Sequence, residues 1–387
     1  MAVSPGSTAA LRTANQRRVL DVLRSDAIDG HADGVHTQAD LARITGLAPA
    51  TISNIVRDLV ASGLIETEPG SGRRGTTVRM ARSAGLVTGV DFGHSHVAVA
   101  LADVSGNIID EQRRPLAATA PYHEGLALAD KLLTALLAEA GTDQVRTVGL
   151  GLPAPITDEV VRSATILPGW VGVNAQEAAE SVFAAPVYID NDANLGALAE
   201  RRRGVSREHD TSIFVKVSSG VGSGLIIDGR MFHGSSGTAG EIGHLTLDDQ
   251  GPVCRCGSRG CLEAYASTVA VQELMAGQMP EASFDEIVAA ARAGNLSAVR
   301  TFEDAGLHLG WGLASIVNLL NPGVIVVGGD MAAAGDLLLE HARIGLRRHA
   351  LDAVAATPIV VSDLGERASL VGAVLLAADR AELLVEG

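Results

Sequence analysis

The sequence predicts an α/β protein in which an N-terminal winged helix-turn-helix precedes a body of two α/β lobes. Residues 1–80 carry nine arginines against eight acidic side chains, whereas the rest of the 387-residue chain carries 21 basic against 37 acidic side chains. Such a charge asymmetry indicates a separate N-terminal module. Near residue 85, short helical patterns give way to strands separated by glycine turns, and this strand-rich pattern occurs twice.

Composition narrows the class of protein before any motif is considered. The chain is 47% hydrophobic and 19% charged, as in globular proteins, and 387 residues are too many for one compact core. Aromatic residues make up 3%, which argues against a stacking surface for single-stranded nucleic acid. No apolar run reaches the ~18 residues of a membrane span, and the start lacks a signal-peptide pattern. We expect a cytoplasmic protein with no membrane partner.

The N-terminal module is predicted from short amphipathic helices joined at a glycine. One helix lies in "NQRRVLDVLRSD". Thr37 can cap the next helix, with Asp40 closing an acidic form of the capping box. Leu41 and Ile44 form the apolar stripe of that helix. A further helix begins near residue 48 and turns four apolar residues inward: Ile52, Ile55, Val56 and Leu59. Two short helices around a glycine turn predict a helix-turn-helix.

The exposed face of the last helix carries short hydrogen-bonding side chains and one cation: Thr51, Ser53, Asn54 and Arg57. Such side chains suit base edges and phosphates in a major groove. The segment "LIETEPGSGRRGTTVRM" then predicts two strands around a glycine-rich tip, a wing in which Arg73 and Arg74 reach phosphates or a minor groove. The alternative is a small protein-interaction domain with a surface hairpin. We interpret the module as a binder of double-stranded operator DNA.

The body is predicted from two rounds of strand hairpin followed by helices and strands. "GLVTGVDFGHSHVAVALADVSGNIIDE" begins the first round, and "TSIFVKVSSGVGSGLIIDGRMF" begins the second. Two related α/β lobes with a cleft between them follow from this repeat. The predicted domains are 1–82 for the winged helix-turn-helix, 83–195 for the first lobe, completed by a C-terminal helix at 368–387, and 196–367 for the second lobe.

All three cysteines of the chain lie in the segment "CRCGSRGCLE". An odd number of thiols leaves one unpaired, and a disulfide between Cys254 and Cys256 would be strained. His244 precedes the segment by ten residues, so His244, Cys254, Cys256 and Cys261 form a set suited to tetrahedral Zn²⁺. A closed set of four protein ligands is structural rather than hydrolytic. The alternative is three unpaired, inert cysteines.

Four segments, "GTAGEIGH", "CRCGSRGCLEAYAS", "DNDANLGALAE" and "NPGVIVVGG", resemble the signature segments of the ROK family (repressors, open reading frames and sugar kinases). The resemblance covers nearly the whole chain, because the repressor branch of that family also carries an N-terminal winged helix-turn-helix. It implies an actin-like ATPase (ribonuclease H-like) body, zinc held by the four ligands above, and a sugar in the cleft between the lobes.

The resemblance also implies which residues contact the sugar: Asn191, Asp192, Glu241, His244 and Glu263. Carboxylates, an amide and an imidazole suit this role, because they form bidentate hydrogen bonds to neighbouring hydroxyls. His244 would use one ring nitrogen for zinc and the other for the sugar. For Asp190 to Asp192 the alternative is helix N-capping, which such residues perform routinely.

In a kinase of this family, Asp192 would be the general base and two glycine loops would hold the phosphates of ATP. The first loop reads "DFGHS" where the family pattern resembles D-x-G-G-T, so His94 replaces a glycine. The second reads "SSGVGSG", with Ser218 replacing the leading glycine. Side chains that intrude on such loops obstruct phosphates, and we expect His94 to intrude more. ATP and Mg²⁺ binding is therefore expected to be weak or absent.

These features together predict a sugar-responsive transcriptional regulator, a repressor, that binds DNA as a homodimer or homotetramer. One alternative is an active ATP-dependent sugar kinase that carries a winged helix, which the intact "NDAN" segment favours. Another is a zinc-stabilised scaffold without a small ligand.

Overall fold

The computed structural model describes residues 8–29, 34–69, 75–162 and 166–384. Within these ranges the chain forms an N-terminal domain and a body built on two five-stranded sheets with parallel and antiparallel neighbours. The predicted mixed α/β class is confirmed. Among the described helices, none is long and apolar enough to cross a membrane.

The N-terminal domain packs helices against a small sheet of strand order β1-β3-β2. Its buried side chains come from all of its helices and from the sheet. The elements are α1 (Thr8–Ile28), β1 (His36–Thr37), α2 (Gln38–Thr45), α3 (Pro49–Ala61), β2 (Ile65–Glu68) and β3 (Thr77–Met80).

The start of α2 confirms the predicted capping box. The Thr37 hydroxyl accepts from the Asp40 backbone N–H at 3.1 Å, and the Asp40 carboxylate accepts from the Thr37 N–H at 3.3 Å. Leu41 is buried as predicted, but Ile44 is 45% exposed, which corrects the predicted stripe. The inward position one turn after Leu41 belongs to Thr45, whose hydroxyl is satisfied by donating to the Leu41 carbonyl.

The wing is formed by β2 and β3, which pair antiparallel from Ile65 opposite Met80 to Glu68 opposite Thr77. Arg79 on β3 forms ion pairs across the hairpin with Glu66 at 2.7 Å and Glu68 at 2.6 Å. The predicted tip residues Arg73 and Arg74 lie outside the described residues.

The first lobe is a sheet of order β10-β7-β4-β5-β6, with α4 and α5 packed on one face. Parallel pairing of β4, β7 and β10 brings their carboxyl ends to the same edge. The elements are β4 (Leu86–Phe92), β5 (His96–Asp103), β6 (Ile108–Pro115), α4 (Tyr122–Ala140), β7 (Val148–Leu152), β8 (Ile156–Thr157), β9 (Val160–Val161), α5 (Ala175–Phe183) and β10 (Val187–Asn191).

A second sheet of order β13-β12-β11-β14-β15 forms the other lobe, with the long helices α10 and α11 packed against it. The elements are α6 (Asp192–Arg203), β11 (Ser212–Val217), β12 (Val221–Ile227), β13 (Arg230–Met231), α7 (Glu263–Ala266), α8 (Thr268–Met275), α9 (Phe284–Arg292), α10 (Leu296–Leu320), β14 (Val324–Gly328), α11 (Asp336–His349), β15 (Ile359–Val361) and α12 (Ala368–Arg380).

Two helices join the parts of the molecule. The C-terminal helix α12 returns to the first sheet and lies so close that a side chain at Gly149 would meet the Ala373 carbonyl at 2.0 Å. The helix α6 packs against α12, where a side chain at Gly372 would meet the Leu195 carbonyl at 2.0 Å. The predicted lobe boundary after residue 195 falls inside α6, which continues unbroken to Arg203.

The core of the N-terminal domain continues into the body. Buried side chains of α1 and α3 belong to the same apolar cluster as Val374 and Leu375 of α12. The DNA-binding module is therefore packed onto the body rather than tethered by an open linker.

Candidate functional site

A cleft of about 210 Å³ lies between the two sheets. The structure brings all five predicted sugar-contact residues to this one cleft: Asn191, Asp192, Glu241, His244 and Glu263. Both glycine loops reach it as well, through Gly93 from the first and Gly220 and Gly222 from the second. These segments are far apart in the sequence, so their convergence is a property of the fold.

Asn191 and Asp192 lie where β10 ends and α6 begins. Asn191 is the N-cap of α6, because its side-chain oxygen accepts from the Ala193 N–H at 2.8 Å. Its amide nitrogen donates to the Ala154 carbonyl at 3.2 Å. The capping alternative is thus confirmed for Asn191. The side chain also lines the cleft, and its oxygen, which has two lone pairs, can accept a second hydrogen bond.

Asp192 is 7% exposed and is paired with a half-buried cation that the sequence analysis did not identify. The Lys216 ammonium, on β11, lies 2.7 Å from Asp192 Oδ2 and 3.0 Å from the Ser369 hydroxyl at the start of α12. Burial opposes the positive charge of Lys216, but the carboxylates of Asp192 and Asp91 raise its pKa above the ordinary lysine range. The ammonium therefore stays charged inside the cleft.

Glu263 is held by contacts from two other segments. Its Oε2 accepts from the Val221 N–H at 3.0 Å, in the second glycine loop, and its Oε1 lies 3.2 Å from the Arg255 guanidinium. Arg255 also donates to the Ser219 carbonyl. This carboxylate is thus oriented before any ligand arrives, which lowers the ordering cost of binding.

Four predicted metal ligands converge beside the cleft. The ligand atoms of His244, Cys254, Cys256 and Cys261 all lie within 4.8 Å of one another. Cys254 Sγ is 3.8 Å from His244 Nδ1, and Cys256 Sγ is 3.7 Å from Cys261 Sγ. Tetrahedral zinc, with bonds of about 2.0–2.3 Å, places its ligand atoms about 3.5–3.8 Å apart, so the donor set and the spacing fit that ion.

The chemistry of these donors also calls for a cation. Burial raises the pKa of the Cys254 thiol to about 12, so its thiolate needs a positive partner at neutral pH. His244 directs Nδ1 toward Cys254, while Nε2 lies 4.0 Å from Glu241 Oε2. The ring thus divides its two nitrogens between the metal cluster and the carboxylate of the cleft.

The first glycine loop is filled by a histidine, but not by the one expected. His94 is exposed at the rim, whereas a side chain at Gly93 would lie 2.1 Å from the His96 ring. His96 is the first residue of β5, and its ring lies against Gly93 of the loop. The Nε2 atom of this ring is 4.0 Å from Asp91 Oδ2. The predicted intrusion of His94 is therefore corrected to His96.

His96 is neutral at pH 7. Burial, with the nearby charges of Arg113 and Lys216, lowers its pKa to about 4. Arg113 donates to His96 Nδ1 at 3.1 Å, so the ring proton is on Nε2, the nitrogen that faces Asp91. Arg113 is itself paired with Glu366 at 2.5 Å. These side chains occupy the space above the first loop.

In the second glycine loop, the Ser218 side chain contacts the turn after β14. Its hydroxyl accepts from the Asp330 N–H at 3.1 Å. A side chain at Gly329 would lie 2.6 Å from that hydroxyl, so Ser218 is packed against the turn after β14. The Asp330 backbone donor is thus satisfied within the protein.

Carboxyl groups outnumber cations among the described residues of the cleft. Six carboxyls and two cations line it: Asp91, Asp192, Glu241, Glu263, Asp330 and Glu366, with Arg113 and Lys216. Burial raises the pKa of Asp91 to about 6 despite the opposing effect of Lys216, and it also raises the pKa of Glu241 and Asp330. A hydroxyl-rich ligand finds many acceptors here.

The predicted DNA-contact residues of α3 share one surface. Ser53, Asn54 and Arg57 are exposed and Thr51 is half-buried, while the four predicted apolar residues of α3 are buried. The Arg57 side chain is 73% exposed and lies 4.0 Å from Asp58. The helix thus presents its polar face outward, and no part of the described chain covers that face.

Sequence reasoning missed the cations that organise the cleft, namely Lys216, Arg113 and Arg255. A signal existed for Lys216, because it is a single charge within the apolar strand "SIFVKVSS" next to a glycine loop. Arg255 lies between two cysteines in "CRCG", and the metal-ligand pattern of the thiols does not indicate a role for the arginine. No local pattern marks Arg113.

The fold and the site define a class of protein in which a winged helix-turn-helix is fused to a sugar-kinase-like, actin-like body. Residues 87–380 match the ROK family, and residues 15–74 match the MarR family. The protein belongs to the ROK family, since this match covers most of the chain, and its N-terminal winged helix is of the MarR type.

Relatives of similar length are regulators. The xylose repressor of Bacillus subtilis is 26% identical over 370 residues, covering 94% of both chains. The DNA-binding transcriptional dual regulator NagC of Escherichia coli is 30% identical over 368 residues, covering 87% of both chains. These alignments therefore extend over most of the length of both regulators.

Solved structures include both regulators and kinases. A ROK family transcriptional regulator, a homologue of the Escherichia coli MLC protein, aligns with a TM-score of 0.77 at 25% identity, covering 95% of this chain and 96% of its own. A ROK family glucokinase from Streptomyces griseus, in complex with glucose and AMPPNP, aligns with a TM-score of 0.67 at 29% identity, covering 76% and 99%. Because a transcriptional regulator and a kinase both align with the body, its fold does not distinguish regulation from phosphoryl transfer.

Proposed function

We propose that this protein is a sugar-responsive transcriptional repressor that binds operator DNA through α3 and its wing. One observation carries the proposal: a single chain packs a domain with an exposed polar face on α3 against a body whose cleft is lined by the five side chains predicted to contact a sugar. The relatives named "xylose repressor" and "N-acetylglucosamine repressor" support this choice.

A binding experiment tests the proposal. A DNA duplex is first selected by the protein from a random-sequence library, and its affinity is measured by fluorescence anisotropy. D-xylose, D-glucose and N-acetylglucosamine are then added in turn. We expect one of these sugars to weaken DNA binding by about 5–150-fold, the usual range of coupling between two sites. Unchanged affinity with all three would contradict the proposal.

The sugar is proposed to lie against Asn191, Asp192, Glu241, His244 and Glu263. Asn191→Ala and Glu263→Gln should each weaken sugar binding measured by calorimetry, because a hydroxyl of the bound sugar would lose an oriented acceptor. Equal sugar affinity in both variants would instead support a scaffold role for the body.

We propose that His244, Cys254, Cys256 and Cys261 hold a structural Zn²⁺. When bound, the ion would fix the loop that carries Glu241, His244 and Glu263, and no ligand position would remain for catalysis. Cys256→Ser should lose the metal measured by atomic emission, whereas Ser258→Ala in the same loop should keep one ion per chain. Full zinc content in Cys256→Ser would contradict this assignment.

A second candidate function, an ATP-dependent sugar kinase, is favoured by the presence of Asp192 in the cleft. Three contacts argue against it: Lys216 pairs with Asp192, His96 covers Gly93, and Ser218 bonds Asp330. We propose that the cleft binds sugar without transferring phosphate. Turnover of ATP with any sugar of the panel, by zinc-loaded protein, would reverse this assignment.

We propose a homodimer or homotetramer as the DNA-binding form, because symmetric operators require two recognition helices at a fixed spacing. Light scattering after size-exclusion chromatography distinguishes these forms from a monomer.

A further inference from the structure

Lys216 holds the first turns of two helices at the floor of the cleft. Its ammonium donates to Asp192 Oδ2, at the start of α6, at 2.7 Å and to Ser369 Oγ, at the start of α12, at 3.0 Å. The Ser369 hydroxyl in turn donates to the Asp192 carbonyl at 2.8 Å. These three residues form a closed ring of hydrogen bonds that joins β11 of the second lobe to both helices.

The far end of α6 is bound to the DNA-binding domain. Arg203 donates to the Ile28 carbonyl at 3.0 Å and to the Ala27 carbonyl at 3.2 Å, at the C-terminal end of α1. Arg202 forms an ion pair with Asp29, the residue that follows α1. Basic side chains satisfy the free carbonyls at a helix end and favour its negative dipole. The helix α6, 12 residues long, thus spans about 18 Å from the cleft to α1.

The far end of α12 is bound to the same helix. Arg24 of α1 donates to the Ala381 carbonyl at 2.6 Å and to the Ala378 carbonyl at 3.5 Å. Leu375 of α12 is buried in one apolar cluster with Leu20 of α1. The two helices therefore connect the same two places, the Lys216 ring at one end and α1 at the other.

The choice of lysine at position 216 suits a contact that exchanges partners. The chain contains two lysines among 30 basic residues, the other being Lys131 on α4. An ammonium is a compact charge with three rotatable donors, whereas a guanidinium holds a fixed planar geometry. A lysine can keep its hydrogen bond to Ser369 while Asp192 takes another partner.

We propose that Lys216 is the positioning residue through which a sugar in the cleft acts on the DNA-binding domain. A sugar hydroxyl that donates to Asp192 competes with the Lys216 ammonium for that carboxylate. The ring then opens, and the first turns of α6 and α12 shift relative to β11. Arg202, Arg203 and Arg24 carry that shift to α1. The proposal rests on the proposed function, because it requires that the protein bind both sugar and DNA.

The test compares two arginines of the last turn of α6, Arg203 and Arg201. Arg203→Ala removes the contact with α1, whereas Arg201→Ala is a matched control, because Arg201 donates to the Arg207 carbonyl and faces Asp210 instead of α1. DNA affinity is measured with and without the sugar of the panel that acts on the wild type. We expect the sugar effect on DNA affinity to fall at least fivefold in Arg203→Ala and to persist in Arg201→Ala.

Sugar affinity in the absence of DNA separates positioning from a general structural defect. It should remain within twofold of the wild type in Arg203→Ala, since the sugar site is at the other end of α6. Arg203→Lys, which keeps one donor, should restore part of the effect. If Arg203→Ala folds poorly, Asp29→Asn removes the partner of Arg202 and tests the same connection.

The outcomes distinguish the two proposals. If no sugar of the panel changes DNA affinity in the wild type, the proposed function fails and the positioning role falls with it. If the sugar acts on the wild type and acts equally on Arg203→Ala, Asp29→Asn and Lys216→Met, the proposed function stands and the role of Lys216 is overturned. Loss of the effect in those variants, with Arg201→Ala unchanged, supports it.

Discussion

At the scale of single residues, the cleft places several carboxyl groups around one half-buried ammonium. Lys216 is paired with Asp192 at 2.7 Å, and Asp91 is 2% exposed with one oxygen that has no hydrogen-bond partner in the described structure. Burial accordingly raises the pKa of Asp91 to about 6. A carboxyl with a raised pKa weakens the folded state whenever it is ionised.

Asp91→Asn should therefore stabilise the protein at pH 7.5. The pKa of Asp91 is about 6 in the folded state against 3.8 in the reference state, so ionisation costs the folded state about 3 kcal/mol above pH 6. That cost shrinks as the pH falls from 6 toward 4, because the folded state becomes protonated first, and it disappears below pH 3.8, where both states are protonated. Urea unfolding at pH 7.5 and pH 4.5 measures the difference between variant and wild type. A variant less stable than the wild type at pH 7.5 would contradict the assignment.

At the scale of secondary-structure elements, short-range features could be predicted from the sequence and long-range ones could not. The capping box of α2 and the cluster of His244 with the cysteines depend on spacings of at most 17 residues, so local rules find them. The contact from Lys216 to Ser369 joins positions 153 residues apart, and that from Arg203 to Ile28 joins positions 175 apart. Only the folded arrangement of sheets reveals such pairs.

Recognition of DNA by α3 is tested by removing exposed side chains. Asn54→Ala and Arg57→Ala should each weaken binding to the selected duplex by about 1–3 kcal/mol without changing stability, because both side chains are exposed and point away from the core. Arg300→Ala, on the exposed surface of α10, is the control for loss of one charge. Affinities equal to that control would show that α3 does not contact the DNA.

Close packing of α6 on α12 gives a prediction about stability. A methyl group at Gly372 would lie 2.0 Å from the Leu195 carbonyl, so the helices must separate in Gly372→Ala. We expect a loss of about 1–3 kcal/mol in the free energy of unfolding, the usual cost of overpacking. Gly277→Ala is the matched control, because nothing lies within 4 Å of its added methyl. Equal unfolding free energies for the two variants would contradict this packing.

At the scale of the whole molecule, the DNA-binding domain, the cleft and the cluster of His244 with the three cysteines are parts of one packed structure. The cluster at His244 adjoins the cleft, and α6 and α12 extend from the cleft to α1. The predicted domains 1–82, 83–195 and 196–367 stay a prediction, and α6 crosses the middle boundary. A change in the cleft therefore has a continuous structural connection to the surface of α3.

The most direct test of sugar-responsive DNA binding is reciprocity. Binding free energies of two coupled ligands must change each other by the same factor. The sugar that weakens DNA binding is titrated calorimetrically into the free protein and into protein saturated with the selected duplex. We expect DNA to lower sugar affinity by the same factor by which sugar lowers DNA affinity. Identical sugar affinities with and without DNA would show that the cleft and the DNA-binding domain act independently.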